Sequence, residues 1–460
     1  VALTVALGGF LMGFDASVIS GVVGFIEPEF ELSKFELGWA VASLTLTSTM
    51  AMMLAGPISD RFGRRPVLKV AALLFTVSAV ASAVAPDYIT LVAARMLGGF
   101  GVGAALIIAP MYIAEIAPPA VRGRMVSFNQ LNIVIGISAA YFSNYLILSL
   151  GQSDLGWAQA LRFGDWNWRW MLGVEALPAI FYFFALLFVP ESPRWLVMKG
   201  RNEDALGILE QVSSKAQAEK DLTAVRESLQ AEAHQEKGTF RELFQPAMKL
   251  VLTIGISVAI LQQITGINSV FFYAPMIFEQ SGIGTDAAFM QAVMVGIVNL
   301  VFTVTAILLI DKLGRRPLLI AGLAIISFCM LLLAWAFSAA SYTPGGELVG
   351  VNPVIILIGI LGFVAGFAIS LGPVMWVLFS ELFPNRIRGI AISFVGLINS
   401  SVSFLVQLVF PWELENFGPS TTFLIYGIFA VIGLVFVFRT LPETKGRSLE
   451  ELEAELVSGK

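Results

Sequence analysis

About twelve apolar runs, most near the ~20 residues that cross a bilayer as a helix, constrain this chain more than any other feature. They lie at 2–23, 37–58, 67–85, 88–112, 125–150, 170–189, 248–278, 287–310, 318–337, 353–379, 389–410 and 421–438. Hydrophobic residues make up 57% of the 460 and charged ones 13%, about half the charge of an ordinary soluble domain. A folded soluble chain of this length could not hide so much apolar surface. Run length and the lack of alternation exclude a membrane β-barrel. The expectation is an all-α polytopic membrane protein with twelve transmembrane helices.

Lysine and arginine are sorted by loop. Arg61, Arg64, Arg65 and Lys69 follow the second run, and Arg122 and Arg124 follow the fourth. A basic segment at 194–249 follows the sixth run. Lys312, Arg315 and Arg316 follow the eighth, Arg386 and Arg388 the tenth, and Arg439, Lys445 and Arg447 the twelfth. The opposite loops hold only Lys34, Arg162 and Arg169. The positive-inside rule then places both termini in the cytoplasm of a multi-pass plasma-membrane protein. The net charge of −5 says little, because charge is distributed by loop. The first apolar run starts at Val1 without a small-residue cleavage pattern, which reads as a trimmed N-terminus and not as a signal peptide. The single cysteine, Cys329, cannot form an intramolecular disulfide.

The chain also repeats itself. Asp60-Arg-Phe-Gly-Arg-Arg-Pro66 recurs as Asp311-Lys-Leu-Gly-Arg-Arg-Pro317. Glu115-Ile-Ala-Pro-Pro-Ala-Val-Arg-Gly123 recurs as Glu381-Leu-Phe-Pro-Asn-Arg-Ile-Arg-Gly389, and Pro190-Glu-Ser-Pro-Arg-Trp195 is echoed by Pro442-Glu-Thr-Lys-Gly-Arg-Ser448. Three motifs in one order imply two parallel six-helix bundles, with a site at mid-membrane where they meet. The expected organisation is a bundle at 1–189, a cytoplasmic linker at 190–247, a second bundle at 248–440 and a tail at 441–460. In the linker, Ala205, Ile208, Leu209 and Val212 fall at helical spacing and predict short amphipathic helices. His234, the only histidine, lies there and reads as a solvated surface residue.

Leu261-Gln-Gln-Ile-Thr-Gly-Ile-Asn268 stands out inside the seventh run. Three amides there are costly unless something hydrogen-bonds to them. Asn268 is expected to return to the face of Gln262 about two turns later, with Gly266 favouring unwinding between them. Amides that both donate and accept suit a ligand rich in hydroxyls; they also serve to join transmembrane helices. Asp15 is equally costly at its depth, and Arg95 in the fourth run is its obvious partner. Because arginine keeps its proton, Asp15 is the member that can switch. Glu175 is a second intramembrane carboxylate that can share the proton.

With these residues in hand, the chain resembles the sugar porter branch of the major facilitator superfamily over essentially its whole length. The motifs that carry this are Gly-Arg-Arg-Pro twice, Pro190-Glu-Ser-Pro-Arg-Trp, Gln262-Gln-Ile-Thr-Gly-Ile-Asn, Gly372-Pro-Val-Met-Trp376 and Pro442-Glu-Thr-Lys-Gly-Arg. The resemblance implies alternating access by rocking of two bundles, a hexose, pentose or polyol as substrate, and a monomer as the functional unit. It places Gln130, Gln262, Gln263, Asn268, Asn299, Trp376 and Asn399 at the sugar, and makes Tyr273 the outer-gate aromatic. These are polar or amphipathic groups inside apolar runs, contributed by both halves. Gln130 and Asn299 also suit interhelical hydrogen bonding, and Trp376 an interfacial belt. Ile137, Phe272 and Ser400 depart from the family, where relatives carry Gln, Tyr and Trp, and so bear on which sugar is read.

Asp at position 15 is similar to proton-coupled members, whereas facilitative ones usually carry Asn. Asp15, Arg95 and Glu175 are therefore the expected proton-coupling set. Glu115, Arg122, Glu191, Arg194, Arg315, Glu381, Arg388 and Glu443, with Arg447, fall in equivalent cytoplasmic loops, and the resemblance implies ion pairs that latch the outward-open state. Topology and helix capping would place the same charges there. The function expected is secondary active sugar transport by proton symport, with a facilitative uniporter or a transporter-like sugar sensor as alternatives. No metal-ligand cluster, cofactor motif, nucleophile–base pair or Walker loop is present in the sequence, and nothing in it calls for nucleic acid, so an enzyme ranks last.

Overall fold

A computed structural model describes residues 1–118, 121–234, 238–345 and 348–445. Among these, twelve helical segments are long and apolar enough to cross a membrane: Ala2–Gly21, Lys34–Phe62, Arg64–Ala83, Tyr88–Ile116, Arg124–Gly151, Asn167–Leu187, Pro246–Glu279, Thr285–Leu313, Arg315–Ser338, Pro353–Leu382, Arg388–Asn416 and Gly418–Thr440. They are called the first to twelfth spans below. Each corresponds to one predicted apolar run, and most extend several residues beyond it. The extensions are polar helix ends, such as Lys34 to Glu36 and Asp311 to Leu313, which an apolar pattern cannot register.

Four spans are interrupted, each for a local reason. The first passes from α-helix (Ala2–Val18) into a 3-10 turn (Ile19–Gly21). The sixth breaks between Asn167–Gly173 and Ala176–Leu187, which leaves Glu175 at the junction. The seventh breaks between Lys249–Ile264 and Ile267–Glu279 around Gly266, whose φ of 95° lies in the left-handed region that a side chain opposes. The tenth breaks at Ser370, between Pro353–Ile369 and Leu371–Leu382. Gly372 and Pro373 thus sit in the first turn of the second half, where proline's missing N–H costs nothing.

Between the sixth and seventh spans lie the helices Pro193–Met198, Asn202–Val212 and Lys215–His234. Ala205 and Leu209 are the buried stripe of the second. Ser192 caps the first, its hydroxyl accepting from the Trp195 amide.

The chain forms two compact units. One comprises Val1–Val18, Ser43–Ala140 and Trp166–Glu236; the other comprises Ile19–Ala42, Tyr141–Asp165 and Lys237–Lys460. In the first, Val5, Leu68, Phe75, Ile108, Tyr112, Tyr182 and Leu186 are fully buried at the helix crossings. In the second, helix ends from the first half of the chain pack on helices of the second half. Phe35 meets Trp412, Trp39 meets Phe404 edge-on, and Tyr141 donates to the Phe271 carbonyl at 2.5 Å.

Candidate functional site

The break in the seventh span gathers the amides of the second unit. Asn399, on the eleventh span, donates through Nδ2 to Gln262 Oε1 at 2.7 Å and to the Ala259 carbonyl at 2.9 Å. Gln262 Nε2 donates to the Leu371 carbonyl at 2.9 Å, just past the break in the tenth span. Gln263 Nε2 donates to Gln262 Oε1 at 3.2 Å and to Asn399 Oδ1 at 3.4 Å. Asn268 Nδ2 donates to Gln263 Oε1 at 2.7 Å and to Ser403 Oγ at 2.6 Å. The network runs on: Gln407 Nε2 donates to Ser403 Oγ at 2.8 Å, and Tyr273 donates to the Gln407 carbonyl at the same distance.

Asn268 therefore meets Gln263 and not Gln262 as expected; on an unbroken helix it would point about 140° away from Gln263. The left-handed residue at Gly266 resets the helical phase. Ser403 and Gln407 belong to this network and were not among the predicted residues. They lie four and eight positions after Asn399, on one helical face, and that period was the available signal.

The other predicted substrate residues take separate positions. Asn299 is buried in the eighth span and takes part in none of these bonds. Trp376, in the second half of the tenth span, is 48% exposed, its ring edge-on to Phe379. Gln130 is exposed on the fifth span of the first unit. Tyr273 is fully buried against Phe410 and has non-helical angles (φ −129°, ψ 18°), two residues before Pro275.

The first unit contains the predicted ion pair. Arg95 Nη1 donates to Asp15 Oδ1 at 2.9 Å and to the Asp15 carbonyl at 3.1 Å, and each residue is 2% exposed. Glu175 is buried at the break in the sixth span. Among the described residues, Asp15 Oδ2, Arg95 Nε and Glu175 Oε1 have no hydrogen-bond partner. All three residues are buried, and Asp15 and Arg95 are paired directly.

The repeated motifs form two matching charge clusters, one in each unit. In the first, Arg64 makes a bidentate pair with Glu115 (2.8 and 3.0 Å) and reaches Asp60 at 2.7 Å. Glu191 accepts from the backbone amides of Arg64 at 3.0 Å and Arg65 at 3.1 Å. In the second, Arg315 pairs with Glu381 (2.7 and 3.1 Å) and Asp311 (3.1 Å), and Glu443 accepts from the amides of Arg315 and Arg316, both at 3.1 Å. Burial pushes the Glu191 carboxyl above its usual range, against the opposing pull of the Ser192, Arg64 and Arg65 amides. The loop arginines stand apart from these clusters. Arg194 pairs with Glu232 at 2.5 Å, Arg388 donates to the Phe383 carbonyl at 3.2 Å, and Arg122 is exposed. Arg447 lies outside the described residues. Among the described residues no group of three or more His, Cys, Asp or Glu could hold a metal ion.

Residues 1–456 match the family model for "Sugar (and other) transporter". The chain is 38% identical to the arabinose-proton symporter of Bacillus subtilis, over 98% of this chain and 94% of that one. It is also 38% identical to the D-xylose-proton symporter of Escherichia coli, over 99% and 94%. Among solved structures, the inward-open conformation of the E. coli xylose transporter matches with a TM-score of 0.82 at 36% identity, covering 99% of each chain.

Proposed function

Because the chain belongs to the sugar transporter family of the major facilitator superfamily, we propose that it carries a pentose, hexose or polyol across the plasma membrane together with a proton. The observation that carries this reading is the set of neutral amides at the broken seventh span. Gln262, Gln263, Asn268 and Asn399 bond mainly to one another and to backbone carbonyls, in the interior of helices that would otherwise be apolar. Each amide offers both a donor and an acceptor, and a hydroxyl can replace either partner without leaving a charge behind. Trp376 and Tyr273 supply aromatic surface on the same unit, Trp376 to cover the apolar face of a sugar ring and Tyr273 to gate it. Gln130 and Asn299 complete the substrate set.

Coupling follows from the buried acid pair. While Arg95 faces Asp15, the carboxylate is held ionised. Movement of the first or fourth span separates the pair, and Asp15 then takes up a proton from the water that reaches it, which Glu175 can share. The clusters built on Glu115, Glu191, Arg315, Glu381 and Glu443, with Arg122, Arg194 and Arg388, fix the helix ends on the cytoplasmic side and bias one conformation. The loop distribution of Lys and Arg supports cytoplasmic termini.

Counterflow in liposomes against a panel of pentoses, hexoses and inositols tests the substrate class. Exchange of none of them sinks the sugar reading. Uptake driven by an imposed pH gradient tests coupling, and equilibration without accumulation under that gradient leaves uniport.

A further inference from the structure

The ring of Tyr426, on the twelfth span, lies against the break in the seventh. A Cβ built at Gly266 would lie 2.6 Å from Tyr426 Cδ2, so the ring fills the space that the absent side chain leaves. The ring is buried, stacked on Phe410 and edge-on to Phe423. Its hydroxyl lies 3.0 Å from Glu413 Oε2 and 3.2 Å from Ser269 Oγ. The phenol has one proton to give. It goes to the carboxylate, the stronger acceptor, so Ser269 donates to the phenol oxygen. The resulting chain, Ser269 to Tyr426 to Glu413, joins the seventh, twelfth and eleventh spans. Ser269 adjoins Asn268 in the first turn of the half-helix Ile267–Glu279.

We infer that Tyr426 and Glu413 are positioning residues, which hold this half-helix in the register that presents Asn268 to Gln263 and Ser403. A left-handed residue leaves the two half-helices joined by a flexible link. The hydrogen bonds across the break on the amide side are made by side chains that substrate would engage. The Tyr426 brace lies on a different face, through a residue outside the amide cluster, and so persists while those amides change partners. This rests on the reading of the amide cluster as the sugar site.

The test uses Tyr426→Phe, Glu413→Ala and Glu413→Gln in the full-length protein, normalised to monodisperse purified material. Tyr426→Phe keeps the ring that fills the break and removes only the hydroxyl. Loss of one such bond is expected to raise the half-saturation for counterflow about three- to tenfold in Tyr426→Phe and Glu413→Ala, with the maximal rate near native. Glu413→Gln retains an acceptor for the phenol and should restore most of the affinity. In sugar-free protein, amide hydrogen exchange at 265–272 should speed up by a similar factor in Tyr426→Phe. Native half-saturation in both deletions, equal loss in Glu413→Gln and Glu413→Ala, or unchanged exchange at 265–272 each overturns the inference. If the wild-type protein exchanges no sugar, the substrate reading fails instead, and the hydrogen-exchange result alone decides the brace.

Discussion

Asn268 Nδ2 reaches Gln263 Oε1 at 2.7 Å across the break in the seventh span, and Gln263 Nε2 reaches on to Gln262 and Asn399. Gln263 is thus the middle of the amide cluster. Removing it leaves Asn268 with Ser403 alone and takes one donor from Asn399 Oδ1. Gln263→Leu is expected to raise the half-saturation for sugar about ten- to hundredfold, the cost of unpaired buried polar groups. Counterflow at graded sugar concentration measures it. An unchanged half-saturation places the sugar elsewhere.

Asp15→Asn keeps the shape of the buried pair and removes its titrating member. The amide cannot take a proton, so the cycle loses its driving ion while the sugar path stays open. Proteoliposomes with an imposed pH gradient should accumulate no sugar above equilibrium, yet exchange labelled for unlabelled sugar at a rate near native. Accumulation that persists in this variant moves the coupling site away from Asp15.

Arg64 and Arg194 are both arginines of the predicted cytoplasmic face, yet the structure treats them differently. Arg64 is buried, with bidentate bonds to Glu115 and a third contact to Asp60. Arg194 meets a mostly exposed Glu232. Arg64→Ala leaves the Glu115 carboxylate buried without its guanidinium and should cost about 3 kcal/mol. Arg194→Ala should cost less than about 1 kcal/mol. Thermal unfolding in detergent, read as the difference between the two variants, checks this.

The legibility of these features in the sequence differed with their physical cause. Membrane crossing depends on run length, and the twelve runs located all twelve spans. Asp15 and Arg95 could be paired from sequence because an isolated charge at that depth is too costly to leave alone. The break at Gly266 was legible because one residue type dominates the left-handed region. The break beside Glu175 had local markers that were passed over: Gly173 ends one half, and Pro178 in the first turn of the next lacks the N–H that would bond back to Val174. Ser403 and Gln407 were missed because a lone hydroxyl or amide in an apolar run resembles ordinary helix surface until a neighbouring span supplies its partner. The loop arginines Arg122, Arg194 and Arg388 were grouped by position, and position in a loop does not fix where a long side chain ends.

Gly38 meets the backbone of the eleventh span with no room to spare: a Cβ built there would lie 2.0 Å from the Leu408 carbonyl oxygen. Trp39 and Phe35 flank this approach through Phe404 and Trp412. A helix from the first half of the chain here rests directly on one from the second half, and alternating access requires such a contact to form and part in every cycle. Gly38→Ala forces the two backbones apart by more than an ångström, because a carbonyl cannot turn aside as a side chain can. The closed arrangement should become costlier by about 1–3 kcal/mol, which lowers maximal exchange roughly tenfold and leaves the amide cluster intact. Half-saturation near native, with a reduced maximal rate, is the expected pattern in counterflow. Native turnover in Gly38→Ala would mean that this approach is not part of the cycle.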